Sequence, residues 1–331
     1  MKKFVHAIAL LLCLVLAFGL AACGSPAEPT PTPTASTPSE TEPSAPSDEI
    51  TIGFSVYDMQ YEFFQNMEKG TREAVEALGW KYVLHDEKSS EQEMVTGAIN
   101  LINSGVSALI ISPCKPEALS SIVAAAKEKN IPVIVDDIGG GGTDYNAIVI
   151  SNCYHGGQLG ADYTVELLAG NEGSKKVAII KCEPEAVYAI RRGEGYKANI
   201  TAAGFEVVAE ISGHSKSEEG YSIMQDLLAS NPDIVAVFAE NDPMAVGAAN
   251  AIADAGRNDI VVIGFNNDPE AVDAMKSGIM AATVAQFPEL MGQKTVELAQ
   301  TLLSGGTIAY DDPSTREVFA EVKLIKAGDV A

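Results

Sequence analysis

Residues 234–250 read IVAVFAENDPMAVGAAN, and this stretch decides the fold class. Ile234 to Ala239 is a run of apolar residues, the pattern of a strand buried on both faces. Asn241 and Asp242 follow, and Asp242 with Pro243 behind it makes a good start for a helix: a capping carboxylate, then a proline in the first turn. Helical character continues to about residue 255. A buried strand feeding directly into a capped helix is the repeating half of a parallel α/β sheet.

The same alternation extends in both directions. Upstream, strands are predicted at Ile50–Val56, Lys81–His85, Ala108–Ser112, Pro132–Asp136 and Ala147–Ser151. Between them, Phe63, Phe64, Met67, Thr71, Ala74, Val75 and Leu78 share one helical face that ends at Gly79. Further helices are predicted at 91–103 and 116–129. Beyond Ser151 strands recur at Lys176–Lys181, Glu206–Ile211, Ile260–Gly264 and Ala281–Ala285, with helices at 156–169, 187–203, 218–230, 268–277 and 288–304. The expected fold is α/β, two doubly wound parallel-sheet lobes. Ligands of such sheets bind outside the carboxyl ends of the strands, so two facing lobes would enclose a cleft.

The N-terminus is of another kind. Lys2 and Lys3 precede an apolar run from Phe4 to Leu20, which ends in Leu20-Ala21-Ala22-Cys23-Gly24. Residues 1–22 read as a signal peptide, and the last block resembles a bacterial lipobox with Cys23 as the lipidated residue. Residues 23–48 then carry Pro, Ser, Thr and Glu with no large apolar side chain, a composition that cannot offset chain entropy by burial. They read as a solvated tether between a lipid anchor on the cell membrane and the folded part.

Composition excludes some functions. The chain has 22 Lys and Arg against 45 Asp and Glu, a formal charge of −23, which argues against nucleic acid as a partner. Of five cysteines, Cys114, Cys153 and Cys182 lie in the folded part, without zinc spacing; an oxidising compartment leaves a Cys153–Cys182 disulfide open. His85, His155 and His214 are scattered, and neither a nucleophile elbow nor a phosphate-binding loop occurs. Gly139–Gly142 reads as a flexible loop. No enzyme activity, metal or cofactor is expected.

Residues leaving the strands carry the chemistry. They are Tyr57 and Asp58, Asp136 and Asp137, Asn241 and Asp242, Asn266 to Asp268, and Gln286, with Phe63, Phe64 and Phe265 close by in sequence. Carboxylates accept from hydroxyls, amides donate and accept, and aromatic faces cover C–H surfaces, a mix suited to a polyhydroxylated ligand. Each polar residue also competes for a role as a helix cap, and one of Phe63 and Phe64 belongs to the core.

Taken in order, several blocks resemble the type I periplasmic binding proteins of the ribose-binding group. They are Phe63-Phe64, Ile131–Ile134 before Asp137, Arg192–Tyr196, Val237–Ala245, Val262–Asn266 and Ala281–Gln286. The resemblance implies two lobes joined by a three-segment hinge, with crossovers near Ser151, Ala285 and Asp312. The lobes would then be 49–151 plus 286–312, and 152–285 plus 313–331. It implies ligand contacts at Tyr57, Tyr61, Phe63, Phe64, Asp137, Asn241, Phe265, Asn266 and Gln286, closure around a sugar or polyol, and delivery by a monomer to an ABC permease and its ATPase. Docking onto a sensor kinase or chemoreceptor, with a ligand such as autoinducer-2, is the alternative. Where the family carries two arginines this chain has Ile138 and Ile190, an acid has become Asn266, and an aromatic is missing near Ser215. Arg191 or Lys181 would have to reach in to restore a cation. These departures point away from ribose itself, towards a differently shaped polyol or another small polar metabolite.

Overall fold

The first strand, β1 (Thr51–Val56), is buried almost throughout and leads into α1 (Glu62–Ala77), whose Phe64, Met67, Thr71 and Val75 face the core at helical spacing. A computed structural model describes residues 49–139, 142–184 and 186–330; the signal peptide, Cys23 and the tether lie outside the described residues. The first half continues through β2 (Lys81–Asp86), α2 (Glu91–Asn103), β3 (Ala108–Ile111), α3 (Leu119–Glu128), β4 (Val133–Asp136) and β5 (Ala147–Ser151). The second half runs α4 (Cys153–Leu167), β6 (Lys176–Lys181), α5 (Val187–Ala202), β7 (Glu206–Ser212), α6 (Ser217–Ser230), β8 (Ile234–Ala239), α7 (Asp242–Asp254), β9 (Val261–Asn266), α8 (Pro269–Lys276) and β10 (Ala282–Ala285). Then come α9 (Pro288–Leu303), β11 (Glu317–Ala320) and β12 (Lys323–Lys326).

Two six-stranded sheets result, ordered β11-β5-β4-β3-β1-β2 and β12-β10-β9-β8-β6-β7. All neighbours pair in parallel except β12, which runs antiparallel to β10. Apolar side chains fill the space on both faces of each sheet, one pair of cores around Phe54 and Ile111 and another around Phe238 and Val237. This is the two-lobe, doubly wound architecture expected from the sequence.

The chain passes between the sheets after Ser151, after Ala285 and between Ala320 and Lys323. The third passage corrects the expected one near Asp312. There the chain turns back on itself: Asp312 and Glu317 bridge in antiparallel fashion, and Asp312 accepts from the backbone and hydroxyl of Ser314. The turn returns Glu317–Ala320 to the first sheet beside β5, with Val318 and Ala320 in its core. The expected span 313–331 is thus divided, and only β12 joins the second sheet. Helix α4 also begins earlier than expected, at the passage itself, because the Asn152 side chain caps it by accepting from the His155 N–H at 3.2 Å.

Candidate functional site

The carboxyl ends of the parallel strands bring the first lobe's Tyr57 and Asp137 and the second lobe's Asn241, Asn266 and Gln286 to the loops that precede or follow helices. Backbone strain marks the same places. Asp137 has φ +67°, Asn266 +125° and Asn267 +69°, conformations that cost about 1–3 kcal/mol each and that persist only where the surroundings impose them.

In the first lobe four rings form one group. Tyr57 stacks on Phe64 at 4.8 Å and 3°, while Tyr61 and Phe63 meet Phe64 edge-on at 6.5 and 5.3 Å. Phe64 is buried at the centre; Phe63 is half-buried and Tyr61 is exposed at the helix N-cap. Of the two phenylalanines, Phe64 is therefore the core residue. Beneath them Glu87, fully buried, accepts from the Ser55 hydroxyl and the Cys114 N–H at 2.8 Å each, and burial lifts its carboxyl to about 7. It ties the loop after β2 to the loop after β3.

Asp137 follows β4 and is half-buried. Burial raises its carboxyl to about 6, with the Arg192 guanidinium of the second lobe pulling the other way. Its neighbour Asp136 is wholly buried, neither carboxyl oxygen has a protein partner, and burial holds that acid well above the carboxylate range.

The second lobe's wall is built around Arg192, which the sequence reading did not assign. Helices α4 and α5 approach closely enough that a Cβ at Gly157 would run into the Arg192 carbonyl oxygen, and one at Gly195 into that of Tyr154. This contact fixes the turn of α5 that bears Arg192. Its guanidinium lies 4.1 Å over the Phe265 ring, and Nη1 donates to the Glu240 carbonyl at 2.8 Å and to Asn266 Oδ1 at 3.2 Å. Gln286 donates to the same Asn266 oxygen at 2.9 Å. The signal that would have found Arg192 is its helical spacing, three residues after buried Ala189 and four before buried Tyr196.

The structure places the other expected contacts as follows. Asn241, rather than Asp242, caps α7: its side chain accepts from the Met244 N–H at 3.2 Å. Asp242 is the first helical residue and a staple, accepting from the Thr283 hydroxyl at 2.7 Å and the Asp268 N–H at 2.8 Å, with burial raising its carboxyl to about 7. Strand β9 runs two residues further than expected, so the Phe265 ring is fully buried and covered by Arg192; it presents no open face. Neither cation expected to replace the missing arginines is at the wall: Arg191 binds Glu317 and Lys181 pairs with Glu210 at 3.8 Å. Cys114, Cys153 and Cys182 are free thiols, raised by burial, Cys182 to about 11 and Cys114 to about 12.

A cavity of about 420 Å³ beside the hinge is lined by Tyr145, Tyr188, Arg191, Arg316 and Glu317. Its charges are already paired, Arg191 with Glu317 and Arg316 with Asp144, so it offers a ligand little. Among the described residues no group of His, Cys, Asp and Glu could hold a metal ion, and no helix is long and apolar enough to cross a membrane.

Two doubly wound lobes, one with a carboxylate past a strand end and the other with an amide–guanidinium wall at its own, have the form of a two-lobed solute-binding receptor. The chain belongs to the periplasmic binding protein domain family, whose model matches residues 52–307. It is 35% identical over 257 residues to the ribose import binding protein of Bacillus subtilis, covering 78% of this chain and 83% of that one. A solute binding protein of Bacillus halodurans with bound myo-inositol is 28% identical, with TM-score 0.67, covering 85% and 96%. A periplasmic ribose ABC transporter structure from Conexibacter woesei shares the fold at TM-score 0.77 and 22% identity, covering 85% and 93%.

Proposed function

We propose that the chain is an extracytoplasmic receptor that captures a small neutral sugar or cyclic polyol between its lobes and delivers it to an ABC permease and its ATPase. The observation that carries this reading is the hydrogen-bonded wall of Arg192, Asn266 and Gln286 at the second lobe's strand ends, with the first lobe's Asp137 carboxyl held down by the Arg192 charge. Asn266 and Gln286 extend the second wall. Carboxylate, amides and guanidinium together match a ligand that both donates and accepts through hydroxyls. Asp137 and Glu240 both lie near the Arg192 guanidinium, Asp136 adjoins Asp137, and burial raises all three carboxyls. An anionic ligand would meet that excess of acids, which favours a neutral one. The relatives named for ribose import, and the one with bound myo-inositol, support the same ligand class.

Tyr57, Tyr61, Phe63 and Asp137 would bind from the first lobe and Asn241, Asn266 and Gln286 from the second, with Phe64 and Phe265 backing them. The protein acts as a monomer held at the membrane through lipid on Cys23, the tether of residues 24–48 letting the folded part range over the surface. The test is thermal unfolding against D-ribose, D-allose, D-arabinose, D-apiose and myo-inositol. A ligand at a hundredfold its Kd stabilises the native state by about 2.7 kcal/mol, and each kcal/mol raises Tm by roughly 2–4 °C at this size. A shift with one or more of these supports the reading; a shift only with amino acids or nucleosides overturns the ligand class.

A further inference from the structure

We propose that Tyr188 of α5 is a latch between the lobes, one that sets the affinity for every ligand without touching any of them. The inference rests on the function proposed above, in which the lobes close on a solute, and goes beyond it by naming what holds them closed. Tyr188 stands in the first turn of α5, in the second lobe. Its ring packs against the second lobe's cluster around Tyr196 and Phe238, and also against the first lobe's cluster around Ile111 and Ile148. The seat in the first lobe is a notch at Gly139. A Cβ there would lie 2.4 Å from the Tyr188 hydroxyl oxygen and 2.6 Å from Ile148 Cδ1. The backbone at Gly139 is outside the left-handed region that favours glycine, so what a side chain there would disturb is the close approach of the tyrosine.

The ring lies between the hinge and the cleft. On the hinge side the Arg191 guanidinium covers it and is itself held by Glu317 of β11. On the other side Asp137 is close enough for its charge to reach the phenol, which burial chiefly keeps protonated. The cavity of about 420 Å³ beside the hinge is lined by Gly139, Tyr145 and Tyr188, and it gives the ring room to turn as the lobes part. A tyrosine buries roughly 150–250 Å². The share of that surface covered by the first lobe returns to water when the lobes separate, and this opposes opening whatever ligand fills the cleft. A binding-competent form that is only partly populated raises every ligand's Kd by the same factor. Loss of the latch should therefore weaken all ligands alike, whereas loss of a ligand contact changes their order.

The test compares the full chain as wild type, Tyr188→Ala, Gly139→Ala and the double variant of Gly139→Ala with Tyr188→Phe. Ligand-free proteins are measured by small-angle X-ray scattering, and D-ribose, D-allose, D-arabinose and myo-inositol are titrated calorimetrically. Tyr188→Ala removes the ring and Gly139→Ala fills its seat, so each should leave the ligand-free chain more extended than wild type. Each should also weaken every compound that binds by a common factor of about ten, with the rank order unchanged. In the double variant the missing hydroxyl frees the space that the new methyl group takes, and both scattering and affinity should return towards wild type. A residue that only supports the fold would lower Tm without extending the ligand-free particle. Should Tyr188→Ala fail to fold, Gly139→Ala and the double variant decide. Ligand-free scattering that is the same in wild type and the single variants overturns the inference. So do affinities within about twofold of wild type, or a loss that differs from compound to compound, which would make Tyr188 a ligand contact. Wild type binding none of the four counts against the proposed ligand class and leaves the latch to be decided by scattering.

Discussion

Arg191 on α5 and Glu317 on β11 are joined by two N–H···O bonds of 2.8 and 3.0 Å that cross from the second lobe to the first. Glu317 is almost wholly buried and stands three residues ahead of the third passage between lobes. Tyr188, one turn earlier on α5, packs against cores of both lobes and takes the Arg191 guanidinium on its ring at 5.0 Å. The pair therefore fixes how α5, and with it Arg192, sits against the first lobe. Neutralising one partner leaves the other charge poorly solvated. Glu317→Ala should cost about 2 kcal/mol, allowing for the partial exposure of Arg191, and lower Tm by several degrees. A Tm within 1 °C of wild type, an approximate threshold set by the same scaling, would deny the pair this role.

The acid at position 137 should be the most sensitive contact. Asp137→Ala removes the first lobe's carboxylate acceptor, and a hydrogen bond to a charged group is worth about 1.5–3 kcal/mol, so affinity should fall at least tenfold. Because its carboxyl titrates at about 6, binding to the wild type should weaken as pH falls through that value, and Asp137→Asn should remove the limb. Titration calorimetry across pH 5–8 reads both, and a pH-independent wild-type affinity would exclude Asp137 as an ionised acceptor.

Stability without ligand should show the opposite slope. Glu87, Glu240 and Asp242 at about 7 and Asp137 at about 6 are raised by burial, so from neutral pH down to the ordinary carboxylate range the folded chain binds more protons than the unfolded one. Native stability thus rises as pH falls from 8 to about 5. Below about 4 the trend reverses, as Asp58, Asp144, Asp233 and Asp312, whose carboxyls are held down by hydrogen bonds, take up protons. Calorimetric Tm values across this range check the sign; a monotonic decline on acidification would contradict it.

Asn241 separates a cap from a contact. Asn241→Ala loses the bond to the Met244 N–H and should cost about 1 kcal/mol, whereas Asn241→Ser keeps a capping oxygen and most of the stability. Both variants should lose ligand affinity. An Asn241→Ser protein with wild-type affinity would confine the residue to capping.

The elements from β1 to β10 were legible because most strands are near-continuous apolar runs and most helices show a clear inward face. Strands β11 and β12 were not. Four residues each, EVFA and KLIK, they follow a polar turn and show neither a long apolar run nor a turn signature between them. Their pairing with β5 and β10 is decided by tertiary packing. The positions of Asp137, Asn266 and Gln286 at strand ends could be read because a polar residue just past a buried strand is conspicuous. Arg192 could not, since in sequence it is one of two adjacent arginines. Only the helix phase, with Ala189 and Tyr196 inward, turns Arg192 towards the wall and Arg191 towards Glu317. Strand β9 runs two residues past Gly264, and the Phe265 ring on it is fully buried.

The most direct measurement is calorimetric titration of the wild type and Asp137→Ala proteins, side by side, with D-ribose, D-allose, D-arabinose, D-apiose and myo-inositol. The account predicts saturable one-to-one binding of at least one of these neutral compounds by the wild type, and at least a tenfold weakening in the variant. Heat released equally by both proteins, or by neither with any of the five, would contradict capture of a polyol between Asp137 and the Arg192 wall.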